Sequence, residues 1–167
     1  MRRIKLTKGY VALVDNEDYE RVMAAGPWHA FVDQRQGKTV NVYAVHSERE
    51  NGQSVTYRMH RFIMRVYSPL VDIDHKDHSG LNNQKYNLRR ATGAQNCRNV
   101  RLYSSNTSGY KGVSAHKTVT KPVQWKAQIR FNLKHIYLGL FPTAKQAALA
   151  YDTKARELFG EFAHTNF

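Results

Sequence analysis

Asp74-His75-Lys76-Asp77-His78-Ser79-Gly80-Leu81-Asn82-Asn83-Gln84-Lys85-Tyr86-Asn87-Leu88-Arg89-Arg90-Ala91-Thr92-Gly93-Ala94-Gln95-Asn96 is the stretch around which the rest of the chain is organised. An apolar run, Leu70 to Ile73, leads into an adjacent acid and imidazole, Asp74 and His75. At a strand end neighbouring side chains need not stay on opposite faces, so both are expected to turn into one pocket. The segment from His78 to Asn83 has the residues of a tight turn. Tyr86 to Ala91 reads as the returning strand. Thr92 and Gln95 form a T-x-x-Q capping box, which predicts a helix from Gly93. Asn96 then falls in its first turn, with the side chain directed back toward the strand ends.

This β-β-α order brings a particular chemistry together. Asp74 offers a charged oxygen and Asn96 a neutral one, a donor set that suits one Mg²⁺ or Mn²⁺ ion with open water positions. His75 can take a proton from water near neutral pH. Asn87 is read as holding the loop or orienting His75. An isolated Asp-His pair is an ordinary surface turn; the capped helix, the placed asparagine and the basic setting set this one apart. No structural zinc is expected, because His75, His78 and Cys97 have no fourth ligand at zinc spacing.

Composition bounds the partner. The 167 residues carry 26 Lys+Arg against 13 Asp+Glu, a formal charge of +13. That excess points to a polyanion, nucleic acid before an acidic membrane surface. It is unevenly spread: residues 1–58 hold 9 basic and 7 acidic side chains, residues 59–107 hold 8 and 3, and residues 108–167 hold 9 and 3. With 41% hydrophobic residues a packed core is feasible. No apolar run reaches membrane-spanning length. The basic start, Met1-Arg2-Arg3, lacks the apolar stretch of a secretory signal. Cys97 is the only cysteine, which excludes a disulfide framework and agrees with an intracellular setting.

Upstream, residues 3–14 suggest a hairpin turning near Lys8-Gly9. Asp15 to Ala25 reads as a short helix stopped by Gly26-Pro27. Its acids Asp15, Glu17, Asp18 and Glu20 are explained by capping and the helix dipole rather than by a metal. Trp28–Val32, Val40–Val45 and Ser54–Met59 read as strands, with Trp28 in the core. His29 and His46 are surface or structural. Met59 to Met64 is a short helix. Its His60 and Arg61 are placed to reach a DNA phosphate; His60 packed and hydrogen-bonded beside the active site is the equal alternative. Arg89 and Arg90, flanking the site, are read as further DNA contacts.

Downstream, Arg101 to Gly109 is polar and reads as a linker. Tyr110 to Ala115 is a short strand. Val123 to Phe131 alternates, with Val123, Trp125, Ala127, Ile129 and Phe131 on a buried face and Gln124, Lys126, Gln128 and Arg130 on a polar one. Past the turn at Asn132-Leu133, Ile136, Leu138 and Leu140 are expected inward, with His135 and Tyr137 on the polar face. Thr143 and Gln146 make a second capping box, and Gly160 ends the helix that follows. Its alanines let it lie close on the three-stranded sheet, which leaves the polar face free for base edges and phosphates.

The residues Met59-His60-Arg61, Asp74-His75, Leu81-Asn82-Asn83, Asn87-Leu88-Arg89 and Gln95-Asn96 resemble the HNH endonucleases of the phage and intron homing type. The resemblance implies a ββα-metal finger over residues 55–101 binding one divalent ion, Mg²⁺ or Mn²⁺. It implies His75 as general base, Asp74 and Asn96 as metal ligands, and Asn87 as a supporting catalytic residue. Products with 5′-phosphate and 3′-hydroxyl ends are implied as well. Tyr110-Lys111-Gly112-Val113, Trp125 to Arg130, Tyr137 to Phe141, Ala147 to Asp152 and Asn166-Phe167 resemble an AP2 domain over residues 110–167. The positions matching that family's DNA-reading residues are Lys111, Ser114, His116, Gln128, Arg130, His135 and Tyr137, with Lys126 beside them on the polar face; Arg130 alone keeps the family's residue type. The expected architecture is α+β: a β-rich region 1–54 packed on the nuclease module, a linker 102–109, and an AP2-like three-stranded antiparallel sheet packed on one helix. The expected function is site-specific, metal-dependent cleavage of double-stranded DNA, within the cytoplasm of a bacterial host if phage-encoded. The alternative is a sequence-specific DNA-binding regulator with an inactive nuclease fold.

Overall fold

A computed structural model describes residues 1–35, 37–99, 102, 105–119 and 122–167. The chain is α+β, with several small antiparallel sheets and few helices, and divides into two compact units, Met1–Asn96 and Cys97–Phe167. No helix among the described residues is long and apolar enough to cross a membrane.

In the first unit, loose alternation yields a hairpin, β1 (Arg2–Lys5) with β2 (Val11–Val14), joined through a 3-10 turn at Thr7–Gly9. The helix α1 (Asn16–Ala24) follows. A meander then runs through β3 (His29–Arg35), β4 (Lys38–Glu50) and β5 (Gln53–Arg58). It leads directly into α2 (Met59–Met64), closed by a left-handed Arg65. A second two-stranded sheet pairs β6 (Asp72–His75) with β7 (Leu88–Ala91), and α3 (Gly93–Arg98) starts two residues later. One core joins all of this. Ile4, Val14, Val22, Trp28, Met59, Ile63, Ile73 and Leu88 are buried together, so the N-terminal β-rich region and the β6-β7 pair share their apolar interior. Trp28 lies in that core and donates its indole N–H to the Val22 carbonyl at 2.8 Å.

Two local readings change. The apolar residues Leu70 and Val71 precede β6 instead of forming it; Leu70 is 89% exposed. The strand begins at Asp72 and carries Asp74 and His75 as ladder residues opposite Arg89 and Leu88. Asp15 sits at the start of α1 without capping it. Its carboxylate accepts instead from the Gln84 side chain at 2.9 Å and from the Lys85 backbone N–H at 2.8 Å. Lys85 also pairs with Glu17 and Asp18, and Asp18 with Arg21. The acidic cluster therefore pins the loop before β7, an arrangement that no local signal announces.

In the second unit, β8 (Val113–His116), β9 (Gln124–Phe131) and β10 (Lys134–Phe141) form an antiparallel sheet in the order β10-β9-β8. Its inner face packs on α4 (Ala144–Phe159). Ala147, Ala148 and Ala155 are fully buried against Val113, Ala127 and Ile129 of the sheet, as small side chains at a close helix-sheet approach require. The inward set on β10 differs from simple alternation. The register slips between Tyr137 and Gly139, where Gly139 takes a φ of +129° that only glycine adopts readily. Past this bulge the faces exchange: Phe141 packs into the core, and Leu140 stands opposite Lys126 on the other face.

Of the expected linker, Tyr103 and Ser104 lie outside the described residues, as do Val100 and Arg101 just before it. Asn106 to Gly109 form a hydrogen-bonded turn: Asn106 Oδ1 accepts from the Gly109 N–H at 2.7 Å, and Ser108 Oγ lies 2.8 Å from the Val113 carbonyl. The chain end is sealed by the fully buried Asp152, whose carboxylate accepts from the backbone N–H groups of Asn166 and Phe167 at 2.9 Å.

Candidate functional site

The loop between β6 and β7 is knitted by its own side chains. Asn87, 2% exposed, receives the Asp77 N–H on its Oδ1 at 3.0 Å. Its amide nitrogen donates to Asp77 Oδ1 at 2.9 Å and to the Asn82 carbonyl at 2.8 Å. The second Asp77 oxygen accepts from Asn82 at 2.7 Å. Burial works to raise the Asp77 pKa, but hydrogen bonds from Ser79, Asn82 and Asn87 outweigh it, and the carboxyl is held below its ordinary value. Gly80 lets this loop lie flat on β4. A Cβ there would stand 2.5 Å from the Val42 carbonyl and 2.6 Å from the Tyr43 ring, and its N–H reaches Asn41 Oδ1. Leu81 and Asn83 then bond to both sides of Leu13 in β2, at 2.8 Å each.

Asp74 and His75 emerge from this frame buried, at 5% and 7% exposure. The Asp74 carboxylate takes Arg89 from the neighbouring strand, through Nε at 2.8 Å and Nη2 at 2.7 Å. Arg89 is directly opposite Asp74 in the ladder, so the pair is a cross-strand contact on one face. The His75 ring lies 3.3 Å from Asn83 Oδ1, and the His60 ring packs nearly perpendicular to it at 4.9 Å between centroids. Successive residues of a strand point to opposite faces, and the pleat runs through both residues. Asp74 is thus held by Arg89 across the ladder and His75 by Asn83 and His60, in adjoining surroundings. Burial lowers the His75 pKa, opposed by the Asn83 hydrogen bond and by the charges of Asp77 and Asp74. His60 is pushed down to about 2 by burial, with His75, Arg58 and Arg61 adding repulsion. Burial thus disfavours the protonated form of both rings.

The capping box that starts α3 is formed in both directions. The Thr92 N–H donates to Gln95 Oε1 at 2.8 Å, and the Gln95 N–H to Thr92 Oγ1 at 3.2 Å. It carries Asn96 to the β6 strand, where its amide lies 3.4 Å from Asp72 Oδ2. Asp72 and Asp74 are alternate residues of β6 and share a face. The oxygen-bearing group on this side is therefore Asp72, Asp74 and Asn96, and Asp72 carried no signal of its own in the sequence beyond its two-residue spacing. Among the described residues no three His, Cys, Asp or Glu side chains gather at one point.

The remaining expected DNA-binding residues divide. His60, at 4% exposure, packs beside His75 and does not reach the surface. Arg61 donates to the carbonyls of Val71 and Ser68, tying down the segment before β6. Arg89 is turned in to Asp74, whereas Arg90, the next residue on the strand, is exposed. Lys111 precedes β8 and donates through Nζ to the Arg98 carbonyl at 2.9 Å; burial lowers its pKa to about 8, against the pull of Asp152. Of the two readings of His60, the packed one agrees with its burial against His75; Arg61, Arg89 and Lys111 read as surface cations because sequence position does not reveal a partner across the fold. Ser114, His116, Lys126, Gln128, Arg130, His135 and Tyr137 do share one sheet face, the one turned away from α4, with Gln124 and the bulge-shifted Leu140. Tyr137 is 61% exposed there.

The chain is 33% identical over 168 residues to an uncharacterized HNH endonuclease of Acanthamoeba polyphaga mimivirus, covering 92% of this chain and 83% of that protein. That relative belongs to a giant virus, not a bacteriophage. An ethylene-responsive transcription factor of Arabidopsis thaliana is 33% identical over 102 residues, 58% of this chain and 60% of its own length. A dehydration-responsive element-binding protein of the same plant is 38% identical over 87 residues, 50% of this chain and 40% of its own. An AP2-like ethylene-responsive transcription factor of that plant is 40% identical over 67 residues, 39% of this chain and 19% of its own. No family model matches the chain. No solved structure matches it.

Proposed function

Because the chain belongs to the HNH endonuclease family, we propose that it is a site-specific endonuclease of the homing type that hydrolyses phosphodiester bonds in duplex DNA with a divalent metal ion. The observation that carries this reading is the buried His75 beside Asp74 on β6, with Asn96 delivered to the same strand by a capped helix. His75 takes the proton of the attacking water. Asn87 holds the loop that fixes His75, through its three bonds to Asp77 and Asn82.

The donor chemistry fits a hard cation. Asp74 and Asn96 would hold it, with the Asp72 carboxylate on the same side; all are oxygen donors, as Mg²⁺ or Mn²⁺ prefers. Such an ion supplies polarisation of the phosphoryl group and stabilisation of the leaving oxygen. Arg89 already neutralises Asp74. That pairing favours a second reading, a DNA-binding regulator whose nuclease fold does not cut. Calorimetric titration with Mn²⁺ separates the two: binding that Asp74→Ala and Asn96→Ala abolish supports the nuclease, and no binding supports the regulator.

The open face of the β8-β9-β10 sheet is the proposed docking surface. Lys126 and Arg130 suit phosphates and guanine edges, and Gln128 suits adenine. This unit positions the protein and the first unit cuts. Incubating supercoiled or long duplex DNA with Mg²⁺ or Mn²⁺ tests the whole: nicked or linear product with 5′-phosphate ends, abolished by chelation, is expected. Intact DNA under every metal, alongside tight binding, would refute the nuclease.

A further inference from the structure

We propose that Asn83 is a positioning residue that sets the tautomer of His75, fixing the ring proton on Nε2 and leaving the basic lone pair on Nδ1. The inference deepens the reading of His75 as the group that activates water and rests on it.

Asn83 is 1% exposed. Its position is set by the backbone: its N–H donates to the Leu13 carbonyl at 2.8 Å, and the Leu13 N–H donates to the Leu81 carbonyl at 2.8 Å. This clamp lays the end of the loop along β2 as a short parallel bridge at Asn82. The orientation of the Asn83 amide is then decided by its other neighbour. The amide nitrogen lies 3.3 Å from the Leu81 carbonyl, which only accepts. The nitrogen end must face that carbonyl, and the oxygen end faces His75 Nε2 at 3.3 Å.

An amide oxygen also only accepts. The proton of this hydrogen bond therefore belongs to Nε2. A neutral imidazole carries one N–H, so the lone pair that can take a proton from water is on Nδ1. The opposite tautomer would set two acceptors against each other inside a buried site. Rotating the ring by half a turn would present a carbon to Asn83 and break the bond. The His60 ring, nearly perpendicular with its centroid 4.9 Å away, and the Tyr43 ring at 6.2 Å pack beside the His75 ring. Partners that orient a metal-bound histidine through its second nitrogen are typically worth about 10–100-fold in function, and the same order is expected for a base held in this way.

The test reads the ring directly. Nitrogen-15 spectra of the metal-free protein, labelled at histidine and assigned with His75→Gln, report which ring nitrogen carries hydrogen. Wild type is expected to show the proton on Nε2 of His75; a proton on Nδ1 overturns the proposal without any variant at Asn83. Asn83→Leu, similar in size but without an acceptor, is expected to lose the Nε2 preference. Its single-turnover cleavage should fall about 10–100-fold at saturating DNA, with DNA affinity unchanged. If Asn83→Leu leaves both the ring signals and the rate unaltered, the proposal is overturned. His75→Ala is run alongside: cleavage at the wild-type rate would remove the base reading and with it the catalytic role of Asn83, while the ring spectra judge the hydrogen bond separately.

Discussion

At His75 and His60 the fold sets up a pH dependence whose sign follows from burial. Both imidazoles have lowered pKa values in the folded chain, burial being the largest cause. A protonated histidine is thus better accommodated in the unfolded state. Stability is complete above the unfolded value near 6.5 and declines as pH falls below it, because the unfolded chain then binds more protons. Each histidine contributes a slope of about 1.4 kcal/mol per pH unit until its folded pKa is reached. Urea denaturation of the first unit between pH 7 and pH 5 should show the decline, and His60→Leu should flatten it; an unchanged midpoint over that range would contradict the burial argument. Asn87 offers a second check at this scale. Its replacement by Ala removes the partner of the Asp77 N–H, one donor to the Asn82 carbonyl and one of the donors to the Asp77 carboxylate, and should cost about 1–3 kcal/mol. The Asp77 carboxyl, held below its ordinary value, stabilises the loop above pH 4 and releases it as pH falls through that lowered value. Of these residues, Asp74, His75, Asn87 and Asn96 could be picked out from type and spacing alone. Asn83 and Asp72 could not: their partners are set by a loop clamped to β2 and by the start of β6, and neither is encoded nearby.

Capping shows which parts of an element are written locally. The pairs Thr92/Gln95 and Thr143/Gln146 predict the starts of α3 and α4, and the structure bears both out. A capping box needs only residues three apart, so a sequence window contains all of it. Thr92→Ala should therefore destabilise α3 by about 1 kcal/mol. Because α3 carries Asn96, Mn²⁺ affinity should weaken as well; calorimetry measures the second effect independently of the first. The face assignments on β10 were legible only as far as the bulge. Alternation puts Leu140 inside, and the slip at Gly139 replaces it with Phe141. The two assignments predict opposite outcomes of substitution. Phe141→Ala should cost about 2 kcal/mol or more, being a core deletion, whereas Leu140→Ala should stay within about 0.5 kcal/mol. Equal effects in thermal unfolding would speak against the bulge. The acids at the start of α1 teach the same lesson from the other side, since Asp15 serves Gln84 and Lys85 nearly seventy residues away.

For the molecule as a whole, charge and chemistry fall in different places. The proposed catalytic group, His75, is buried in the first unit; the side chains proposed to meet DNA lie on an open sheet face in the second. Replacing Lys126 and Arg130 by Ala should weaken DNA binding and lower its salt dependence by roughly one unit of slope for each phosphate no longer neutralised. Titrations at several salt concentrations read this, and an unaltered slope would remove that face as the docking surface. The α+β class and the polyanion partner were already implied by pattern and composition. The shared core of residues 1–96 and the pairing of Arg89 with Asp74 depend on the meeting of distant segments, which no window of sequence contains. His75 is proposed to activate water for cleavage. The most direct measurement is single-turnover cutting of duplex DNA by wild type and His75→Ala at matched, saturating occupancy with Mg²⁺. Removal of a general base is expected to slow cleavage by about 10²–10⁴-fold with DNA affinity retained; equal rates would contradict it.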